Sequence, residues 1–204
     1  SRTSDNEAGD RHQLAKFLVS ADALESPDDY VQLAIKQSLG SYFLHHLLQT
    51  ETLLEDDSHV LALKTDTRDN MVLHLIQERA MLAVNQALNE ADINCIWLKS
   101  APLSYTVYAK PHLRVKEEIE CFVASDDMSN ALRILKLLNY YPSEKSNDSY
   151  THARLPITLQ HEQQPQLYLT LHQHMIGYSG RPLISDDRFA AWLEHTISFE
   201  LQRT

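Results

Sequence analysis

Glu118-Ile119-Glu120-Cys121-Phe122-Val123 is the stretch on which the reading of this chain turns. Side chains along a strand alternate between its faces, so the two glutamates project together while Ile119, Cys121 and Val123 point the other way, into a core. Two neighbouring carboxylates can hold a hard cation such as Mg²⁺ through their oxygens. Metals held in that way activate an attacking oxygen and neutralise a leaving pyrophosphate. The same spacing also describes an ordinary solvated face, since charged residues belong outside. The flanking sequence has to decide between the two.

Upstream, the chain reads as helical. Apolar Leu14, Phe17 and Leu18 recur at helix spacing beyond a polar tail, residues 1–9. Ser26-Pro27-Asp28-Asp29 then places a hydroxyl at an N-cap, proline at the first helical position and an acid in the capping-box slot. The stripe Tyr30, Val31, Ala34, Ile35 and Leu39 follows, with Gly40 as the expected C-cap. Another helix is expected over 42–49. After an acidic break at 55–58, a short helix to about residue 64 precedes a long one over 67–91. In that long helix Val72, Leu75, Ile76, Leu82, Ala83 and Ala87 recur at a period near 3.6. The period then changes. Residues 93–98 form a β-prone run, 101–108 a short helix, 118–123 an alternating strand, and 126–138 a helix with Met128, Ala131, Leu132, Leu135 and Leu138 inward. Strands are expected over 150–160 and 166–174, joined by the polar turn 161–165. A last helix, 186–195, is capped by Ser185. The expectation is an α/β or α+β domain, residues 92–204, behind an all-helical layer, residues 10–91.

Composition sets limits on function. With 204 residues, 43% apolar and 23% charged, the chain can bury a core of one domain's size. No run approaches the ~18 apolar residues of a membrane span, and the polar, acidic start lacks a secretory leader pattern, so a cytoplasmic protein without a membrane partner is expected. Cys95 and Cys121 lie in apolar runs and read as reduced core residues. The net charge of −10 argues against general nucleic-acid binding. Lys99, Lys110, Arg114 and Lys116 nevertheless lie close enough in sequence to hold a phosphate-sized anion. His172 and His174, at i and i+2, share a strand face with Thr170, a spacing that suits a transition metal, but no Cys or acid beside them completes a shell. There is no Gly-x-Ser-x-Gly elbow, phosphate-binding Gly loop or dinucleotide fingerprint, and the chain has four glycines in all.

The order of elements is more specific than any one of them. A long helix leads to a strand ending Leu98-Lys99-Ser100, then to a short helix with Tyr105 and Tyr108, then to Pro111 and Arg114. The strand 118–123 follows, then a helix closing at Asn139-Tyr140, and later Leu169-Thr170-Leu171-His172. This resembles the uncharacterised nucleotidyltransferase family of the DNA polymerase β-like superfamily. In that family a strand ends Lys-Gly, an Arg precedes Asp-x-Asp, and Asp-Leu-His lies downstream. The resemblance covers about residues 77–200, and more loosely the N-terminal helices. It implies a mixed sheet flanked by helices, Mg²⁺ as cofactor, a nucleoside triphosphate as substrate, and an acceptor that is a small molecule or a protein. On that pattern Glu118 and Glu120 are the catalytic metal ligands. Lys99, Ser100 and Arg114 lie near the nucleotide's phosphates, and Thr170 occupies the position of the third acid.

The departures from the pattern bear on activity. Glutamate is one methylene longer than aspartate and would push a bound Mg²⁺ outward by about a bond length, against that ion's demand for octahedral geometry. Ser100 adds a side chain where a phosphate would approach the backbone, and Thr170 removes a ligand or a base. Two functional expectations follow: nucleotidyl transfer, or an inactive binding or scaffolding module on the same fold.

Overall fold

A computed structural model of the chain describes residues 27–49, 57–144 and 156–173, with the isolated positions 194 and 196. The chain divides into two compact units, Ser1–Arg68 and Asp69–Thr204.

In the first unit the apolar stripe following Pro27 forms α1, Pro27–Lys36, which is followed by α2, Gly40–Gln49. Val31 and Ala34 of α1 are buried with Phe43, Leu44 and Leu63. The turn between the helices corrects one sequence expectation. Leu39 N–H donates to Ala34 O (2.8 Å) and Ser38 N–H to Ile35 O (2.9 Å), so α1 ends in a Schellman motif whose left-handed residue is Ser38, at φ 58°. Gly40 is the first residue of α2 instead of the cap of α1. A side chain there would make the Asp66 carboxylate turn aside and would press on Ile35 Cγ1 at 3.2 Å. Ser38→Gly is therefore expected to stabilise the chain by about 0.5–1 kcal/mol in urea unfolding, because glycine carries no Cβ penalty at positive φ.

The long helix α3, Asp57–Asn89, has no break near residue 65. The polar segment there contains neither Pro nor Gly, and Thr67 Oγ1 donates back to Leu63 O (2.7 Å), which keeps its hydroxyl satisfied inside the helix. In the second unit, α3 buries Met81, Val84 and Leu88, while Val72, Leu75 and Leu82 remain at least 41% exposed. The buried face also takes in Gln77 and Glu78.

After Asp92, in the left-handed conformation, the chain enters β1, Cys95–Leu98, then α4, Ser100–Thr106, and a 3-10 turn, Pro111–Leu113. Next come β2, Ile119–Val123, a second 3-10 turn, Ser125–Asp127, and α5, Met128–Leu137. Three more strands complete the described chain: β3, Tyr140–Pro142, β4, Ile157–His161, and β5, Gln164–His172. They form one five-stranded sheet in the order β1-β2-β5-β4-β3. The β2–β5 pair is parallel and the other pairs are antiparallel, so the sheet is mixed and flanked by helices, the fold class expected from sequence. Strand β3 was not expected. It has three residues, ends in a proline and lies at the sheet edge, where a missing N–H is tolerated.

Ile119, Cys121 and Val123 enter the main core with Leu167, Leu169 and Leu171 of β5 and with Met128, Ala131, Ile134 and Leu135 of α5. Ile134 takes an inward place, while Leu132 and Leu138 pack at its margin. Both cysteines are free, Cys121 fully buried and Cys95 partly so. Among the described residues no helix is long and apolar enough to cross a membrane. The tail 1–9, the helix around Leu14, the Ser26 cap, the strand positions 150–155, His174, and nearly all of the helix 186–195 with its Ser185 cap lie outside the described residues.

Candidate functional site

The opposite face of β2 is also covered: all five strand residues are buried, and Glu120 is only 7% exposed. An ordinary solvated face does not describe it. Strand pairing lines up Leu98 with Glu120, Glu120 with Thr170, and Thr170 with Thr158, a continuous row across β1, β2, β5 and β4. Glu118, one residue before β2, lies half-buried next to this row. The polar groups of the row use one another as partners. Thr170 Oγ1 donates to Glu118 Oε2 in a short hydrogen bond and lies 3.0 Å from Thr158 Oγ1.

Glu120 Oε2 accepts from His172 Nε2 (2.8 Å) and pairs with Lys99 Nζ (2.5 Å). An ionised carboxylate only accepts, so His172 carries its proton on Nε2. Burial works against the charge on Glu120. The hydrogen bonds from His172 and Lys99, together with the charge of Lys99, outweigh it and hold the carboxyl below its usual range. Lys99 reaches Glu120 from a strained backbone. It has φ 52° and ψ −117°, a conformation in which a side chain is disfavoured, in the turn joining β1 to α4. The left-handed backbone of this turn thus falls on Lys99, not on Ser100. Ser100 instead accepts a hydrogen bond from Arg114 Nη2 (3.3 Å). Lys99, Ser100, Arg114, Glu118, Glu120 and Thr170 consequently form three contact sets: Lys99 on Glu120, Thr170 on Glu118, and Arg114 on Ser100.

Mg²⁺ requires oxygen ligands in near-octahedral array. In this arrangement an ammonium and an imidazole engage Glu120, a hydroxyl engages Glu118, and the third position offers a threonine hydroxyl. Among the described residues no group of three or more His, Cys, Asp or Glu side chains is placed to hold a metal. As arranged, these side chains do not fit a hard-cation cluster.

A second polar group, which sequence reasoning missed, lies between α3, α4 and the segment leading into β2. Lys116, grouped by sequence with Lys99, Lys110 and Arg114 as a base that could hold an anion, is 3% exposed. Its Nζ lies 2.8 Å from His74 Nδ1 and 3.4 Å from Ser104 Oγ, and 5.7 Å from the centre of the Tyr105 ring. Tyr105 donates to Glu78 Oε1 (3.1 Å), and Gln77 Nε2 to Lys116 O (2.7 Å). Burial pulls the Lys116 ammonium down to about 8, with Glu78 opposing the shift and Arg114 adding to it. His74 is held down to about 4, by burial first, then by Lys116 and His112. His74 is thus neutral near pH 7 and accepts from Lys116. The one sequence signal was Gln77-Glu78 on a helix face otherwise completed by Met81, Val84 and Leu88.

The depressed His74 value has a consequence for stability. As pH falls from 6.5 toward 4 the unfolded chain takes up this proton before the folded one does, so stability drops through that window and levels off below it. Melting temperature measured between about pH 7 and 4 should show a shallower fall in His74→Gln than in the native chain.

A mixed sheet carrying acidic residues at the start of its second strand, with a Lys-Ser turn touching them, is consistent with a nucleotidyltransferase-like fold. The uncharacterised nucleotidyltransferase family matches residues 24–203, and the chain belongs to that family. No curated protein and no solved structure matches it.

Proposed function

We propose that this chain is a catalytically silent member of its family, a nucleotide-binding or scaffolding module in which the Lys99 ammonium takes the place of a metal beside Glu120. The observation that carries the reading is the double engagement of Glu120 by Lys99 and His172, with Thr170 bound to Glu118 where the family has its third acid. An ammonium neutralises a carboxylate but offers no vacant coordination position at which a triphosphate could be polarised. Arg114 and Ser100 remain as donors for the phosphates of a nucleoside triphosphate, Arg114 through a forked contact. The cytoplasmic setting expected from composition goes with this reading.

The competing reading is nucleotidyl transfer to a small-molecule or protein acceptor, with Mg²⁺ on Glu118 and Glu120. It draws on two carboxylates at alternate positions of the chain, one of them touching Lys99, the residue before Ser100, whose hydroxyl accepts from Arg114. The two separate in a pyrophosphate-release assay with each nucleoside triphosphate and Mg²⁺ or Mn²⁺. The silent reading expects no release above the level of a Glu118→Gln/Glu120→Gln variant, and a nucleotide-induced rise in melting temperature that EDTA does not abolish. Release that depends on the metal and disappears in the double variant would establish the enzyme instead.

A further inference from the structure

Residues 114–118 carry two of the site's side chains, Arg114 and Glu118, yet the segment has no helix or strand of its own between the first 3-10 turn and β2. Chain without ladder hydrogen bonds keeps one geometry only when its side chains are fastened elsewhere. Lys116 stands at the midpoint of the segment and is almost completely buried. Its carbonyl accepts from Gln77 Nε2 (2.7 Å), which ties the backbone to α3. Its ammonium donates to His74 Nδ1 (2.8 Å) on the same helix and to Ser104 Oγ (3.4 Å) on α4, the helix that begins at Ser100. Glu78, buried and holding Tyr105, supplies the balancing negative charge. An apolar side chain would fill this space without the desolvation penalty of an ammonium. The lysine adds directed donors that join three elements at the point where the chain turns into the site.

We infer that Lys116 is a positioning residue: it sets the geometry in which Arg114 meets Ser100 and Glu118 meets Thr170, while its own side chain faces away from any ligand. The inference rests on the reading of Arg114 and Ser100 as the anion-holding pair. Its test uses the full chain, native and as Lys116→Met. A second variant, Glu78→Gln/Lys116→Met, leaves no buried charge without its partner and keeps the fold available if the single change loses it. Hydrogen exchange read by mass spectrometry should show amides 115–118 exchanging about tenfold faster or more in the double variant, with the β4–β5 hairpin unchanged.

Titration calorimetry with inorganic tripolyphosphate in EDTA should show affinity weakened about tenfold although the melting temperature matches the native chain, and Lys116→Arg, which keeps donors, should recover part of it. Unchanged exchange at 115–118, or a rise shared equally by the hairpin, overturns the proposal. Native affinity in the double variant overturns it as well. If the native chain itself fails to bind tripolyphosphate, the anion-holding reading falls, and the exchange measurement alone decides whether Lys116 positions the segment.

Discussion

Thr170→Asp should lower the stability of this protein by about 3 kcal/mol at pH 7, the equivalent of some two pKa units forced on a carboxyl beside another carboxyl. Position 170 is 4% exposed, and its hydroxyl gives its hydrogen to Glu118 Oε2. Aspartate has nearly the same reach but brings an acceptor and a charge where a donor is needed, so two carboxylates would share one buried space. Protonation relieves the conflict: the acid form of the new side chain can donate to Glu118 as the threonine does. The introduced carboxyl would then have a folded-state pKa above its unfolded value. The variant's deficit relative to the native chain should therefore shrink as pH falls through that raised value and grow as pH rises through it.

A divalent cation offers the other way to relieve the conflict. Millimolar Mg²⁺ should raise the melting temperature of Thr170→Asp while leaving the native chain where it was. Equal stabilisation of both by Mg²⁺ would mean that Glu118 and Glu120 already bind the ion without a third acid. In that case the silent reading would have to be given up.

How far the sequence disclosed the fold depended on whether a pattern was fixed by local geometry or by distant partners. The alternation of β2 is local. Ile119, Cys121 and Val123 could face only one way once Glu118 and Glu120 faced the other, and they do enter the main core. The long helix shows the opposite case. It is apolar on more than one side, so periodicity could not say that Met81, Val84 and Leu88 turn inward while Val72, Leu75 and Leu82 stay exposed. Burial of Gln77 and Glu78 on that face requires Lys116 and Tyr105, 39 and 27 residues away in the chain. No window of sequence contains both halves of those pairs.

The site divides in the same way. Its candidate residues were singled out from the order of elements around them, and their contacts were not legible there. That Lys99 turns onto Glu120 depends on a backbone with positive φ, for which a lysine gives no warning. The partner of Glu120, His172, was visible as half of a pair with His174 that suggested a metal and as the end of the Thr170-Leu171-His172 segment, and neither signal named Glu120. The register between β2 and β5 brings the two strands together and makes His172 a donor to a carboxylate.

Glu78→Leu should cost about 2–4 kcal/mol at pH 7: charge balance on Lys116 supplies no more than about 1.4 of it, since a lysine titrating near 8 sheds its proton once its pKa falls below 7, and the rest comes from the lost acceptor of the Tyr105 hydroxyl. Glu78 is 5% exposed and accepts the Tyr105 hydroxyl, and its charge opposes the downward pull of burial on Lys116. Without it, the lysine pKa should fall further below its present value of about 8, against 10.5 in the unfolded chain. Between those limits the unfolded chain holds a proton that the folded one has released, so stability rises with pH across the window. The native chain gains in the same way above about pH 8, so the variant should recover the charge-dependent part of its deficit as pH rises from about 6 to 8 and show none of it above, measured by urea unfolding at several pH values. Adding Lys116→Met should remove the pH dependence of the deficit, since no buried ammonium is left to titrate, and should leave the part that belongs to the Tyr105 hydroxyl. A Glu78→Leu deficit that stays constant with pH would assign the loss to packing or to the Tyr105 hydrogen bond, and would remove charge balance as the reason a carboxylate lies on the inward face of α3.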